Sequence, residues 1–189
     1  MHLIKDSLAP LLVASLLGAC GDTEVPDEQI VADELAEQPA STCGDAGFLQ
    51  ASLSGALTAE IEWTDEALSC ESMRRPDDRG VRLRLSGEVR GERLAFIIAL
   101  PELRAGQTGA DIDSIVTLTV EGSGRFFSTP SLGTCWADID INTPLAKAGG
   151  QHIVAGSVDC VAPLGEFNGD AYVDARGLRF SGVGDWNAS

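Results

Sequence analysis

FLQASLSGALTAEIEW, residues 48–63, is the stretch on which the fold turns. Leu49, Ala51, Leu53, Gly55, Leu57, Ala59, Ile61 and Trp63 occupy eight successive odd positions. Gln50, Ser52, Ser54, Thr58, Glu60 and Glu62 lie between them. Successive side chains of a strand point to opposite faces, so a period of two predicts a strand with one face buried. Gly55 is where so long a strand would bend.

Outward from that stretch the same period recurs, in pairs that can be tested by register. A two-residue turn at Gly91-Glu92 would set Val89 against Leu94, Gly87 against Phe96, Leu85 against Ile98 and Leu83 against Leu100. Apolar side chains and Gly then share one face, while Arg82, Arg84, Glu88 and Arg90 face away. The return strand LAFIIAL is apolar on both faces, as a central strand would be. A second hairpin, centred on Lys147 and Ala148, sets Ile141 against Val154, Ile139 against Gly156, Ala137 against Val158 and Cys135 against Cys160. Further strands are expected at 112–120, 125–128, 171–175 and 178–183, the last two joined as a hairpin at Arg176-Gly177. After residue 42 no segment repeats at the helical period. The expectation is an all-β antiparallel sandwich over residues 43–189, with a small closed β-barrel as the alternative.

Cys135 and Cys160 arriving opposite each other would have Cα atoms about 4.5–5.5 Å apart, within disulfide range. That pairing leaves Cys43 with Cys70. The spacings contain no CxxC motif, so structural disulfides are preferred to a metal site.

Ahead of the domain, Lys5 precedes an apolar run of twelve, Leu8 to Ala19. A membrane span needs about 20 helical residues, whereas twelve is the length of a signal-peptide core. The ending Leu17-Gly18-Ala19-Cys20 resembles the bacterial lipobox. This resemblance covers the signal segment alone. It implies a signal peptide over 1–19, cleavage before Cys20, and acylation of that cysteine with chains such as palmitate. More than one chain makes attachment stable. Gly21, where inner-membrane lipoproteins often carry Asp, favours the outer membrane, on its periplasmic or cell-surface face.

Residues 20–42 hold seven acids, no Lys or Arg, two prolines and few large apolar groups. That composition predicts a flexible, self-repelling tether. The whole chain carries 29 acids and 13 bases, net −16. Setting aside the tether, Lys5 and Asp6 leaves 21 acids and 12 bases in the domain, net −9. So strong an acidic excess disfavours nucleic acid as a partner.

Seven of the domain's bases fall between Arg74 and Arg93. Arg82, Arg84 and Arg90 form a candidate binding face for an anionic partner, or a solvated face paired with Asp77, Asp78, Glu88 and Glu92. Asp138, Asp140 and Asn142 open like a calcium loop. The required Gly is Thr143 and the required Glu is Gly149, so they read as the wet face of a strand and no metal is expected. Cofactor motifs are missing too. His152 is the only histidine after the signal, and no G-x-S-x-G elbow accompanies it. The aromatic set (Trp63, Trp136, Trp186, Tyr172 and six Phe) is small enough for the core to absorb. The functional expectation is therefore a membrane-anchored binding or structural module, not an enzyme, facing a protein or an envelope polymer. Alternatives are a barrel carrying a small apolar ligand or lipid, and a hydrolase using His152.

Overall fold

A computed structural model describes residues 43, 46–73, 75, 79–146 and 149–187, all within the compact unit spanning 38–189. The signal segment, Cys20, the tether, Arg74, Asp77, Asp78 and the turn residues Lys147 and Ala148 lie outside the described residues. Period-two patterning becomes strands throughout: β1 Phe48–Gly55, β2 Ala59–Thr64, β3 Ser69–Ser72, β4 Val81–Val89, β5 Glu92–Leu100, β6 Gly109–Val120, β7 Arg125–Ser128, β8 Cys135–Pro144, β9 Gln151–Cys160, β10 Leu164–Glu166 and β11 Tyr172–Asp185. A single 3₁₀ turn, Asp65–Ala67, links β2 to β3, and the described residues contain no α-helix.

Every strand pairing is antiparallel, and together they make one continuous sheet. Starting from one end, β2 pairs with β1 and β1 with β11. β10 and β9 follow one another along β11, and β7 and β8 follow one another along β6. Beyond β6 come β5, β4 and β3. The sheet then folds over, so that its two ends face each other. Gly182 on β11 has Leu83 and Leu85 of β4 above it, Gly184 has Val81 above it, and the Asp185 amide donates to Ser72 Oγ at 2.7 Å. At the same seam the Trp63 ring of β2 meets Phe96 of β5 edge-on, with centroids 6.2 Å apart.

Between the facing layers lies the core, in which Phe96, Phe127, Phe180, Leu49, Leu85, Ile98 and Leu118 are fully buried. Removing that apolar area from water is the main term holding the layers together. Since β2 and β3 each keep one partner only, the sheet has free ends. The architecture is thus sandwich-like, and the closed barrel held as the alternative is excluded.

Both disulfides form as expected, Cys43 with Cys70 and Cys135 with Cys160. Each sits where the hydrogen-bond ladder fails. Cys135 opens β8 and Cys160 closes β9, beside the breaks 129–134 and 161–163 that separate β7 from β8 and β9 from β10. Cys43, just ahead of β1, meets Cys70 on β3 and so bridges the seam between the sheet's opposite ends.

Four register expectations need correction. Residues 48–63 form a hairpin, not one bent strand, with the chain reversing after Gly55 at φ +100°. Its register sets Leu49 against Trp63, Ala51 against Ile61 and Leu53 against Ala59, so odd positions remain on one face through the turn. The β4–β5 turn is Arg90-Gly91, not Gly91-Glu92, with φ of 52° and 84° as a type I′ turn demands. The two-residue slide keeps every face. It also sets Val81 against Leu100, where the expected register would have put Val81 opposite Glu102.

In β8 an extra residue enters between Ile139 and Ile141. That bulge exchanges the two faces: Ile141 is exposed and Asn142 is buried. Finally, the expected hairpin at Arg176-Gly177 is a bulge within a single strand, Gly177 having φ +59°. The straight run of β1 along both halves of β11 holds that strand extended, and the bulge marks where its other neighbour changes from β10 to β9.

Candidate functional surface

The three arginines singled out in the sequence do not converge. Arg84 meets Glu71 at 3.2 Å and also pairs with Glu121, which in turn accepts from Arg93 Nε at 3.0 Å. Arg93 reaches on to Ser86 Oγ at 3.2 Å. The centre of this face is therefore a cross-strand network whose charges already cancel. Arg82, opposite Ala99, and Arg90, in the turn, have no ion pair among the described residues. They are separated by the length of β4, roughly 26 Å at about 3.3 Å per residue, too far for one small anion to touch both.

Asp138 and Asp140 are exposed, as a wet strand face should be, and Asp138 Oδ1 accepts from the Asp111 amide at 3.0 Å. Asn142 corrects the expectation. Only 4% exposed, it donates through Nδ2 to the carbonyls of Arg104 and Gln107, both at 2.9 Å. The bulge thus turns an expected surface residue into an internal pin for the loop 101–107. Among the described residues no group of three His, Cys, Asp or Glu side chains is placed to hold a metal.

His152 lies opposite Pro144 on one side and Gly184 on the other. Its ring packs edge-on against Trp186, 4.9 Å between centroids. Nδ1 is buried without a hydrogen-bond partner. The contact that holds the ring is aromatic packing.

One surface feature was missed. Phe167 is 60% exposed and Tyr172 is 55% exposed, so the core does not absorb the aromatic set. Both belong to the outer face around β10. Leu164 points inward against Val173, which turns Gly165 and Phe167 outward. Gly165 has Tyr172 opposite it on one side and Ser128 on the other. One step along, Phe167 stacks on Phe126 of β7, with centroids 4.8 Å apart and planes 17° from parallel, and its amide donates to the Phe126 carbonyl. Next to these, Thr117 and Ser128 share a hydrogen bond at 3.0 Å.

The strip is thus an aromatic pair, a bare glycine and a tyrosine, with hydroxyls beside it. A Cβ added at Gly165 would meet no heavy atom within 4 Å, so the space above it is open. Beside it Arg176 pairs with Asp174 at 2.7 Å, Arg125 pairs with Glu166 at 2.6 Å on the Phe127 side of the strands, and Asp170 in the turn before Tyr172 is exposed. A signal was present in the sequence, because Phe126 breaks the alternation beside Phe127 and Phe167 falls in the polar run before Asn168-Gly169. Reading it required the register of β7 against β10, two short strands far apart in the chain.

No family model, curated protein or solved structure matches this chain.

Proposed function

We propose that the chain is an exported lipoprotein, anchored through an acylated Cys20, whose β-sandwich domain works as a binding or structural module in the cell envelope and not as an enzyme. The observation that carries the reading is the cysteine arrangement. All four cysteines of the domain are taken in disulfides, which suits an oxidising compartment. The fifth, Cys20, stands directly after Leu17-Gly18-Ala19. Acidic spacing over residues 20–42 would hold the domain off an anionic membrane surface. The outer membrane is the proposed location.

Replacing Cys20 by serine tests the anchor. The expected outcome is release of the protein from membranes into the soluble fraction, with loss of labelling by a radioactive fatty acid. Retention in the membrane with labelling intact would overturn the assignment.

A further inference from the structure

The geometry points to a ligand for the outer face around β10: we infer that the strip formed by Phe126, Phe167, Gly165, Ser128 and Tyr172 binds a neutral, β-1,4-linked saccharide chain. The inference rests on the reading of the domain as a binding module and names the ligand class.

Exposed aromatic rings are costly to leave in water, since each presents a large apolar face. Phe167 and Tyr172 stay more than half exposed in a domain that buries Phe96, Phe127 and Phe180 completely. Their placement is ordered as well. Phe167 is fixed by its stack with Phe126, while Tyr172 pairs with Gly165 across the ladder and its ring lies beside Gly55 of β1. Between the rings the missing side chain of Gly165 leaves a clear floor, and Ser128 lies next to it. A β-1,4-linked chain of pyranose rings is a flat ribbon that offers apolar C–H faces and equatorial hydroxyls. Such a ribbon would offer its apolar faces to the exposed Phe167 and Tyr172 rings and its hydroxyls to Ser128.

Charge selects among polymers. The strip residues carry no formal charge, Asp174 beside them is paired with Arg176, and the domain as a whole is net acidic. An anionic glycan or an acidic peptide would be repelled by the domain, and a basic partner would find no free carboxylate among the strip residues. A neutral sugar chain matches this surface.

The test uses the full chain, purified in a detergent without a sugar headgroup, in amide-resolved NMR titrations with cellohexaose and chitohexaose. Shifts confined to Gly165, Phe167, Ser128 and Tyr172 are expected with at least one of the two. Phe167→Ala and Tyr172→Ala should each weaken binding a few-fold to about tenfold, the worth of one aromatic contact. Gly165→Gln supplies the stricter control. Gly165 is not in the left-handed region and has open space above it, so the variant should fold normally and lose binding by obstructing the floor. No strip shift with either oligosaccharide overturns the inference. So does unchanged binding in the three variants. If sedimentation instead shows concentration-dependent association that Phe167→Ala abolishes, the strip is an interface between copies and the saccharide assignment falls. Membrane release and sugar binding are separate readouts, so the anchor and the ligand class can fail independently.

Discussion

At the residue scale, buried polar groups separate what is useful from what is tolerated. Asn142 donates twice from inside the fold, and its two acceptors are loop carbonyls that no strand satisfies. Asn142→Leu would leave the Gln107 carbonyl unpaired and the Arg104 carbonyl with the Gln107 amide alone, at a cost of about 2 kcal/mol in urea unfolding, with faster amide exchange in residues 101–107. Ser114 is the opposite case. Its side chain is fully buried opposite Cys135, and Oγ has no partner. Ser114→Ala removes an uncompensated hydroxyl and is expected to raise stability by about 1 kcal/mol in the same measurement. Glycines divide in the same way. A Cβ at Gly156, set between Ile139 and Phe180, would overlap the Asp138 carbonyl, so Gly156→Ala should lower the midpoint sharply; Gly165→Ala should leave it unchanged.

At the scale of elements, turns and bulges decide which residues reach which face. The Arg90-Gly91 turn has both φ values positive, and Arg is a poor residue for the first position. Arg90→Asn creates the preferred Asn-Gly pair and should stabilise the β4–β5 hairpin by about 0.5 kcal/mol. Gly91→Ala, at φ +84°, should cost about 1 kcal/mol, and paired unfolding curves would check both. The strands themselves were legible, because alternation such as Leu49 to Trp63 reports a buried face directly. Bulges were not. One extra residue near Asp140 leaves the composition unchanged yet exposes Ile141 and buries Asn142, and only the opposing strand β9 determines where it goes. The break at Arg176-Gly177 read as a hairpin for a similar reason: a glycine with positive φ serves a turn and a bulge equally, and β1 alongside decides.

For the whole molecule, the disulfides act where backbone pairing does not. They close spans of 27 and 25 residues, and each should contribute about 3 kcal/mol in the chain-entropy view. Their local effects should differ. Cys135→Ala with Cys160→Ala would speed amide exchange around 129–134 and 161–163, while Cys43→Ala with Cys70→Ala would fray β2 and β3 at the open seam. Equal, diffuse exchange in both double variants would contradict this placement.

What the sequence determined by itself was the class of structure, the inward face of nearly every strand, and the Cys135–Cys160 disulfide, with Cys43–Cys70 left by elimination. These follow from local alternation and from a hairpin in which the partners are close along the chain. Tertiary structure alone decided that one sheet folds over on itself with free ends at β2 and β3, that Asn142 turns inward, and that Phe126, Phe167 and Tyr172 gather around Gly165. Those outcomes depend on pairings between distant strands, β7 with β10 and β11 with β1, whose registers are selected by the packing of the whole core and not by any one segment.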